Sequence, residues 1–184
     1  ILQLRNNIQK QEPHSKFLHQ DDIYRQIFAA KNGGEKRYNI VFVAIESFSA
    51  DFMKYFGNED DITPKFDQLV KQGLFFTNLK ATGTRTVRGL EALTLSAPPT
   101  PGNSIVRRPN NENLFNIITP FLERNYDAKF IYGGSSYFDN MGYFFKNNGF
   151  KIVDRAHFAK DKIIFENAWG TSDEDLFAKT IEEA

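Results

Sequence analysis

Glu46 is a candidate for chemistry because of what precedes it in the chain. It follows the nearly uninterrupted apolar residues 40–45, which are rich in Val and Ile. Such a run predicts a strand at 39–45 that is covered on both faces, as in a parallel sheet. Ligands of open α/β sheets bind at the carboxyl ends of strands, so a carboxylate at this point suits acid–base or metal chemistry. The alternative is a solvated glutamate at the end of a strand, with no chemical role.

Thr86 is the second candidate, and it lies where a helix is expected to begin. Gly83 permits a tight turn, and apolar residues after Thr86 recur near the 3.6-residue period of a helix. In the simpler interpretation the threonine is a helix N-cap. In the chemical one, free N–H groups and the helix dipole stabilise a threonine alkoxide. A hydroxyl nucleophile also needs a base or a metal ion, and Glu46 could hold that metal.

The surrounding elements are expected to position these two side chains. A short helix is predicted, with Thr63 as its cap, Pro64 in its first turn and Gly73 as its terminator. It leads into a second predicted strand at 74–79. The further predicted elements are a helix at 114–122 kinked at Pro120, a strand at 128–132, a helix at 143–146, a strand at 150–153, and a helix at 173–183 capped by Ser172 and Asp175. This alternation indicates an α/β fold with a parallel sheet.

The composition narrows the function classes. The 184 residues are 41% hydrophobic and include nineteen Phe, which predicts one globular domain with an aromatic core. Twenty-three basic residues balance twenty-three acidic ones, so bulk charge does not suggest a nucleic-acid partner. With no Cys, disulfides and thiolate metal sites are excluded, and the three His are too scattered for a metal motif. No apolar run reaches the roughly 18 residues of a membrane span.

Three motifs in order resemble the sulfatase-like branch of the alkaline phosphatase superfamily over roughly residues 38–184. They are the strand ending in Glu-Ser-Phe, the Thr-Pro-x-Phe-Asp-x-Leu-x-x-x-Gly helix and the Gly-Thr-Arg-Thr turn. Within this branch the chain is most similar to the lipoteichoic acid synthase group of phosphoglycerol transferases. The resemblance implies an α/β, alkaline phosphatase-like three-layer domain with a mostly parallel sheet, as an incomplete fragment.

The resemblance also implies a domain organisation. Residues 37–184 would be the amino-terminal part of a sulfatase-like phosphotransferase domain. Residues 1–36 would be a polar linker with a weak helical patch at 21–28, following a membrane anchor that is missing here. The catalytic domain would then lie on the extracytoplasmic, periplasmic side of the bacterial cell membrane.

The resemblance assigns roles to Glu46 and Thr86. Glu46 matches the first metal ligand, and Thr86 matches the threonine nucleophile that also binds the metal. Thr84 is the alternative nucleophile. The expected cofactor is a divalent metal, Mn²⁺ in the first place and Zn²⁺ or Mg²⁺ otherwise, with its remaining ligands outside this chain. The fragment alone is therefore expected to be inactive.

Further residues are candidates for substrate binding. Arg85 and Arg88 are positioned donors for a phosphoryl group. The glycine-rich segment after the third strand should border the same cleft, although it could also be a purely structural turn. In lipoteichoic acid synthases a His, a Trp and an Arg hold the glycerol phosphate, and by an approximate alignment Tyr132, Asp139 and Met141 replace them here. The identity of the transferred head group is therefore undetermined by this comparison. Asn140 and Trp169 complete the substrate-binding set, and the alternative for Trp169, which we favour, is a core anchor.

The implied function is metal-dependent transfer of a phosphoglycerol or related phospho-head group. The donor would be a phospholipid, the acceptor an envelope glycan or lipid, and the intermediate a phosphothreonine. The alternatives are a sulfuric or phosphoric ester hydrolase and a non-catalytic domain that binds envelope glycolipid. Sulfate hydrolases of this superfamily use a formylglycine made from Cys or Ser, and Thr86 cannot become one. Nucleic acid is not an expected partner.

Overall fold

The computed structural model describes residues 5–6, 9–10, 15–19, 24–27 and 36–184. The chain divides into two compact units, residues 1–42 and 43–184. The predicted boundary between a linker and a catalytic domain at residue 36 stays a prediction.

The first unit contains a small antiparallel hairpin. Strand β1 (Ser15–Phe17) pairs with strand β2 (Arg25–Ile27), and the Leu18 N–H donates to the carbonyl of Tyr24 at 2.9 Å. The helical patch predicted at 21–28 is therefore wrong for residues 25–27. A helix this short is marginal in water, whereas pairing with β1 supplies hydrogen-bond partners across the strands.

The second unit alternates helices with a pair of parallel strands. Its elements are α1 (Pro64–Leu69), α2 (Thr86–Leu95), α3 (Thr119–Leu122), β3 (Lys129–Ile131), α4 (Met141–Asn147), β4 (Lys151–Val153) and α5 (Asp173–Glu183). Strands β3 and β4 run parallel, with Phe130 opposite Ile152. The predicted α/β class with a parallel sheet is confirmed, as are the third and fourth predicted strands.

Helix boundaries largely follow the capping signals. Pro64 begins α1, which continues as a 3-10 turn and ends at Gly73 as predicted. Ser172 caps α5 by accepting a hydrogen bond from the N–H of Asp175. Pro120 lies in the first turn of α3, where a missing N–H costs nothing, so it starts a short helix and does not kink a longer one. The predicted helix at 114–122 is thus wrong for its first half.

Two predicted strands, at 39–45 and 74–79, are not strands in this structure. No residue in the described part of the chain forms a ladder with either segment. Val41 and Phe42 are 60% and 62% exposed, and Leu74 is 86% exposed. An apolar run becomes a strand only when a neighbouring strand satisfies its backbone groups, and the described part of the chain holds no such neighbour for either segment.

The core of the second unit is aromatic, as the composition predicts. Phe144 and Phe145 of α4 are fully buried, and the ring of Phe145 stacks on Phe130 of β3 at 3.8 Å between centroids. Val87 of α2 and Val106 join the same cluster. The start of α2 is therefore packed directly against the layer formed by α4 and the sheet. None of the helices in the described ranges is long and apolar enough to cross a bilayer.

Candidate functional site

Glu46 and Thr86 meet in the structure, although forty residues separate them in sequence. The Thr86 hydroxyl donates a hydrogen bond to Oε1 of Glu46 at 2.7 Å. Thr86 is the first residue of α2, and the residue in the N-cap position is Arg85. Thr86 is therefore not a helix cap, and its oxygen is free to face the carboxylate. Both side chains are exposed, so a substrate can reach the pair.

A sharp turn and an aromatic contact hold Glu46 in place. Residues 46 and 47 form the turn, and Ser47 adopts a left-handed backbone with φ 56°. The next residue, Phe48, packs edge-on against Phe66 of α1, with 5.0 Å between the ring centroids. The helix from the second sequence motif thus contacts the aromatic residue two positions after Glu46.

The charges of Glu46 and Asp139 both act on the phenol of Tyr132. Tyr132 directly follows β3, and its N–H continues the sheet by donating to the carbonyl of Val153 at 2.9 Å. Partial burial raises the pKa of the Tyr132 phenol, and the negative charges of Glu46 and Asp139 raise it further. The phenol stays protonated at neutral pH and can donate a hydrogen bond to an anionic oxygen. Glu46 is in direct contact with Thr86, and its charge also acts on Tyr132.

Asn140 was predicted to bind substrate, and its amide has an internal partner. Its Nδ2 donates to the carbonyl of Val106 at 2.9 Å. Asp139 and Asn140 both have left-handed backbones, with φ 54° and 64°, so this bond holds an unusual turn in one conformation. The structure thus gives Asn140 a supporting position beside Asp139.

The glycine-rich turn at 133–134 is a site of close backbone packing. A Cβ on Gly134 would lie 2.5 Å from the carbonyl oxygen of Trp169, and one on Gly133 would crowd Thr171 at 3.1 Å. The N–H of Thr171 donates to the carbonyl of Gly133 at 3.0 Å. These glycines allow the loop before α5 to lie against the end of β3, which supports the structural interpretation of this turn.

The two predicted arginines have different surroundings. The Arg88 guanidinium donates to Oε1 of Glu91 at 2.8 Å, to the carbonyl of Thr100 at 3.0 Å and to the carbonyl of Gly102. Arg88 is thus occupied by a loop, and the prediction that it binds substrate is not supported by its contacts. Arg85 is exposed, and its side chain makes no hydrogen bond or ion pair with any residue in the described ranges. Arg85 is the arginine of this turn that remains available to an anion.

Glu91 is a buried carboxylate that the sequence analysis missed. It is 1% exposed and accepts from the Ser104 hydroxyl at 2.7 Å and from the Ile105 N–H at 2.5 Å, in addition to Arg88. Burial alone would raise the pKa of Glu91, but the bonds from Ser104, Arg88 and Ile105 outweigh it and hold the pKa below 4.5. The only signal in the sequence was a charged residue on the apolar face of a helix. Glu91 ties the body of α2, and with it Thr86, to the loop at 100–105.

Glu91→Gln is expected to lower the free energy of unfolding by about 1–3 kcal/mol at pH 7. Glutamine places an NH₂ group where two buried donors need an acceptor. The pKa of Glu91 is lower in the folded protein than in the unfolded chain. The contribution of its carboxylate to the free energy of unfolding is therefore complete above about pH 4.5 and is lost as the pH falls through the pKa of the folded state. Chemical denaturation at pH 7 and pH 4 should show the gap between wild type and Glu91→Gln shrinking at pH 4. An equal gap at both pH values, or an equal loss in the exposed control Glu59→Gln, would contradict this role.

Trp169 does not lie in the core. Its side chain is 75% exposed and contacts the ring of Phe138 edge-on, at 6.0 Å between centroids. The favoured interpretation of Trp169 as a core anchor is therefore wrong. The substrate-binding interpretation stays a prediction.

Among the described residues of the second unit, the one histidine is His157. His14 lies outside the described residues, and His19 belongs to the first unit. His157 lies 3.0 Å from Asp154 through Nδ1, and the other carboxylate oxygen of Asp154 accepts from the Ser136 hydroxyl at 2.6 Å. The Asp154 carboxylate lies between His157 and Ser136. The imidazole of His157 therefore does not contact the Ser136 hydroxyl, as a base that activates a serine must. This cluster fixes the loops after β3 and β4.

The Glu46 and Thr86 oxygens fit part of a divalent metal site. Adjacent ligands of a six-coordinate ion with bonds of ~2.1 Å lie about 3 Å apart, close to the observed 2.7 Å. Two oxygens do not complete a coordination shell, and no cluster of three or more His, Asp or Glu side chains occurs within the described ranges. The pair therefore suits two positions of a hard or borderline cation, and other groups must supply the rest.

Comparison with known proteins places this geometry in a family. Residues 38–184 match the sulfatase family. The chain is also similar to the crystal structure of a protein in the alkaline phosphatase superfamily from Vibrio parahaemolyticus, with 42% sequence identity and a TM-score of 0.62. That similarity covers 67% of this chain and 30% of the other, so the chain spans less than a third of the length of that relative. Members of this superfamily are typically enzymes that act on phosphoryl or sulfuryl esters with divalent metals. The chain belongs to the sulfatase family and has the alkaline phosphatase-type α/β fold, as a partial domain.

Proposed function

We propose that this chain contributes to a metal-dependent transferase that moves a phosphoglycerol or related phospho-head group from a phospholipid to an envelope glycan or lipid. The observation that carries the proposal is the 2.7 Å hydrogen bond between the Thr86 hydroxyl and Glu46. A threonine can form a phosphate ester but cannot become the formylglycine on which sulfate hydrolysis in this superfamily depends. The proposal includes a membrane-anchored protein with its catalytic domain outside the cytoplasm.

Thr86 would act as the nucleophile. Its Oγ1 attacks the phosphorus of the lipid phosphodiester as its own proton passes to water. The bond from phosphorus to the diacylglycerol oxygen breaks, and that oxygen takes a proton from water. Glu46 holds the hydroxyl in one rotamer through the existing hydrogen bond before the attack. An acceptor hydroxyl then attacks the phosphothreonine and gives its proton to water, and the Thr86 oxygen leaves and takes a proton from water. Thr84 is exposed and makes no hydrogen bond with a described residue, which favours Thr86 over it.

Other groups stabilise the charge that develops on phosphorus. The free N–H groups at the start of α2 and the positive end of its dipole lie at Thr86 itself. Arg85 is adjacent and available, and Tyr132 carries a protonated phenol. A divalent cation held by Glu46 and Thr86, which we propose to be Mn²⁺, would supply Lewis-acid stabilisation and favour the ionised hydroxyl.

The test is turnover of a defined lipid by the full-length protein. With vesicles of phosphatidylglycerol labelled in the head-group glycerol, we expect diacylglycerol release that requires Mn²⁺, together with label on the protein at Thr86. Mass spectrometry of an acid-quenched reaction checks the site of the label. Diacylglycerol release without a labelled acceptor would indicate phosphoric ester hydrolysis. Turnover of an aryl sulfate but not of the lipid would overturn the proposal.

A further inference from the structure

We propose that Arg88 is a positioning residue for the nucleophile of the reaction proposed above, an inference that rests on that proposal. Its side chain contacts three separate segments, which are the turn before α2, the body of α2 and the loop that follows α2. The Arg88 side chain is only 19% exposed, which is low for an arginine. Arg88 is thus fixed inside the fold, two residues after Thr86.

The turn that carries Thr86 lies against the stem of Arg88. A Cβ on Gly83 would lie 2.8 Å from Cβ and 3.2 Å from Cγ of Arg88, so the turn comes closer than a residue with a side chain would allow. The N–H of Arg88 also donates to the carbonyl of Arg85 at 2.9 Å. Gly83 and Arg85 are therefore both held by Arg88, and the chain enters Thr86 from a fixed direction.

The guanidinium of Arg88 holds that stem in one orientation. It donates to Oε1 of Glu91, one turn further along α2, and to the carbonyls of Thr100 and Gly102. A guanidinium is a planar fork of donors, so three acceptors at once determine its orientation. The stem that supports Gly83 therefore cannot rotate without breaking these hydrogen bonds.

The placement of the Thr86 hydroxyl depends on this packing. The hydroxyl lies 2.7 Å from Oε1 of Glu46, which fixes the direction in which it can attack. A misplacement of about 1 Å in a reacting group can cost about 10²-fold in rate. Because the Arg88 guanidinium is directed at protein acceptors, we expect Arg88 to act on kcat through Thr86 and not on the affinity for substrate.

Arg108 is a matched control on the same loop. It is half-buried like Arg88, and it donates to the carbonyls of Pro101 and Asn103, each at 2.6 Å. The two arginines thus take alternate carbonyls of one loop. Within the described ranges, Arg108 makes no hydrogen bond to α2 or to residues 83–86. Its removal takes support from the loop and leaves the contacts of the turn in place.

The test compares Arg88→Ala with Arg108→Ala in the full-length protein. In the transfer assay we expect Arg88→Ala to lower kcat at least about tenfold with little change in KM, and Arg108→Ala to change neither. A second measurement does not require catalysis. The N–H of Gly89 donates to the carbonyl of Arg85 at 3.3 Å, so its hydrogen exchange reports on the turn. Exchange at Gly89, followed by residue-resolved mass spectrometry, should accelerate in Arg88→Ala and not in Arg108→Ala.

Gly83→Ala tests the same contact if Arg88→Ala fails to fold. Its methyl group would lie 2.8 Å from the Arg88 Cβ, so the turn must shift, whereas the bonds of the guanidinium stay available. We expect kcat to fall in Gly83→Ala as in Arg88→Ala, again with little change in KM.

The outcomes separate this inference from the proposed function. Faster exchange at Gly89 in Arg88→Ala, with no transfer by any of the proteins, would support the positioning role and count against the transferase. A rise in KM with unchanged kcat would instead make Arg88 a substrate ligand. That result, equal effects of Arg88→Ala and Arg108→Ala, or full activity of Gly83→Ala would overturn the inference.

Discussion

Thr86→Ala is expected to reduce head-group transfer by the full-length protein at least about 10⁴-fold, because removal of a nucleophile eliminates the covalent route. The fold should survive, since the residue in the N-cap position of α2 is Arg85 and Thr86 makes one exposed hydrogen bond. Loss of such a bond changes the free energy of unfolding by no more than about 1.5 kcal/mol. Label from the lipid should no longer appear on the protein. The measurements are initial rates, mass spectrometry and thermal denaturation.

Thr84→Ala is the matched control for this prediction. Thr84 lies two residues away, is also exposed, and makes no hydrogen bond with a described residue. Its replacement should leave transfer within a few-fold of wild type. Near-normal activity in Thr86→Ala combined with a large loss in Thr84→Ala would assign the nucleophile to Thr84.

Glu46→Gln is expected to weaken Mn²⁺ binding by at least about 100-fold. Even groups that only support a metal ligand contribute 10–100-fold to affinity, and Glu46 is proposed to be a direct ligand. Glutamine retains an oxygen that can accept the Thr86 hydrogen bond, so the substitution removes the charge while preserving the contact. Excess Mn²⁺ should restore activity only in part. Calorimetric titration of wild type and variant measures the effect.

Glu59→Gln provides the comparison for Glu46→Gln. Glu59 is an exposed carboxylate with no hydrogen bond or ion pair to a described residue, so its neutralisation should leave Mn²⁺ affinity unchanged. A solvated Glu46 without a metal role would behave in the same way, with a change in stability of about 0.5 kcal/mol or less. Equal Mn²⁺ affinity in wild type and Glu46→Gln would remove the metal role from this site.

The local signals that succeeded depend on short-range chemistry. Pro64 begins a helix because its fixed φ and missing N–H suit the first turn, and Gly73 follows the last residue of the 3-10 turn with an extended backbone. Thr86 begins α2 because apolar residues on one face can pack onto α4 only from that point. The pairing of Glu46 with Thr86 was expected from the family resemblance of the two motifs that carry them, although the strand predicted before each motif does not form in this structure.

The failures concern partners that are distant in sequence. The apolar run at 39–45 has the composition of a strand, but it is exposed and pairs with no strand in the described part of the chain. Composition alone does not say whether a partner strand will lie beside it. Arg88 and Arg85 are indistinguishable in sequence. Only the folded loop at 100–102 reveals that one binds carbonyls and the other remains available.

The amino-acid sequence by itself determined the α/β class and the aromatic core, because periodicity, capping and turn chemistry act over a few residues. It indicated Glu46 and Thr86 through the resemblance of their motifs to a family, and the structure shows the two side chains in contact. Tertiary structure alone decided that Trp169 lies at the surface and that Glu91 is buried and accepts a hydrogen bond from Ser104. Each of these facts depends on which segments, many residues apart, exclude water from one another. That exclusion is a property of the packed chain and of no single stretch within it.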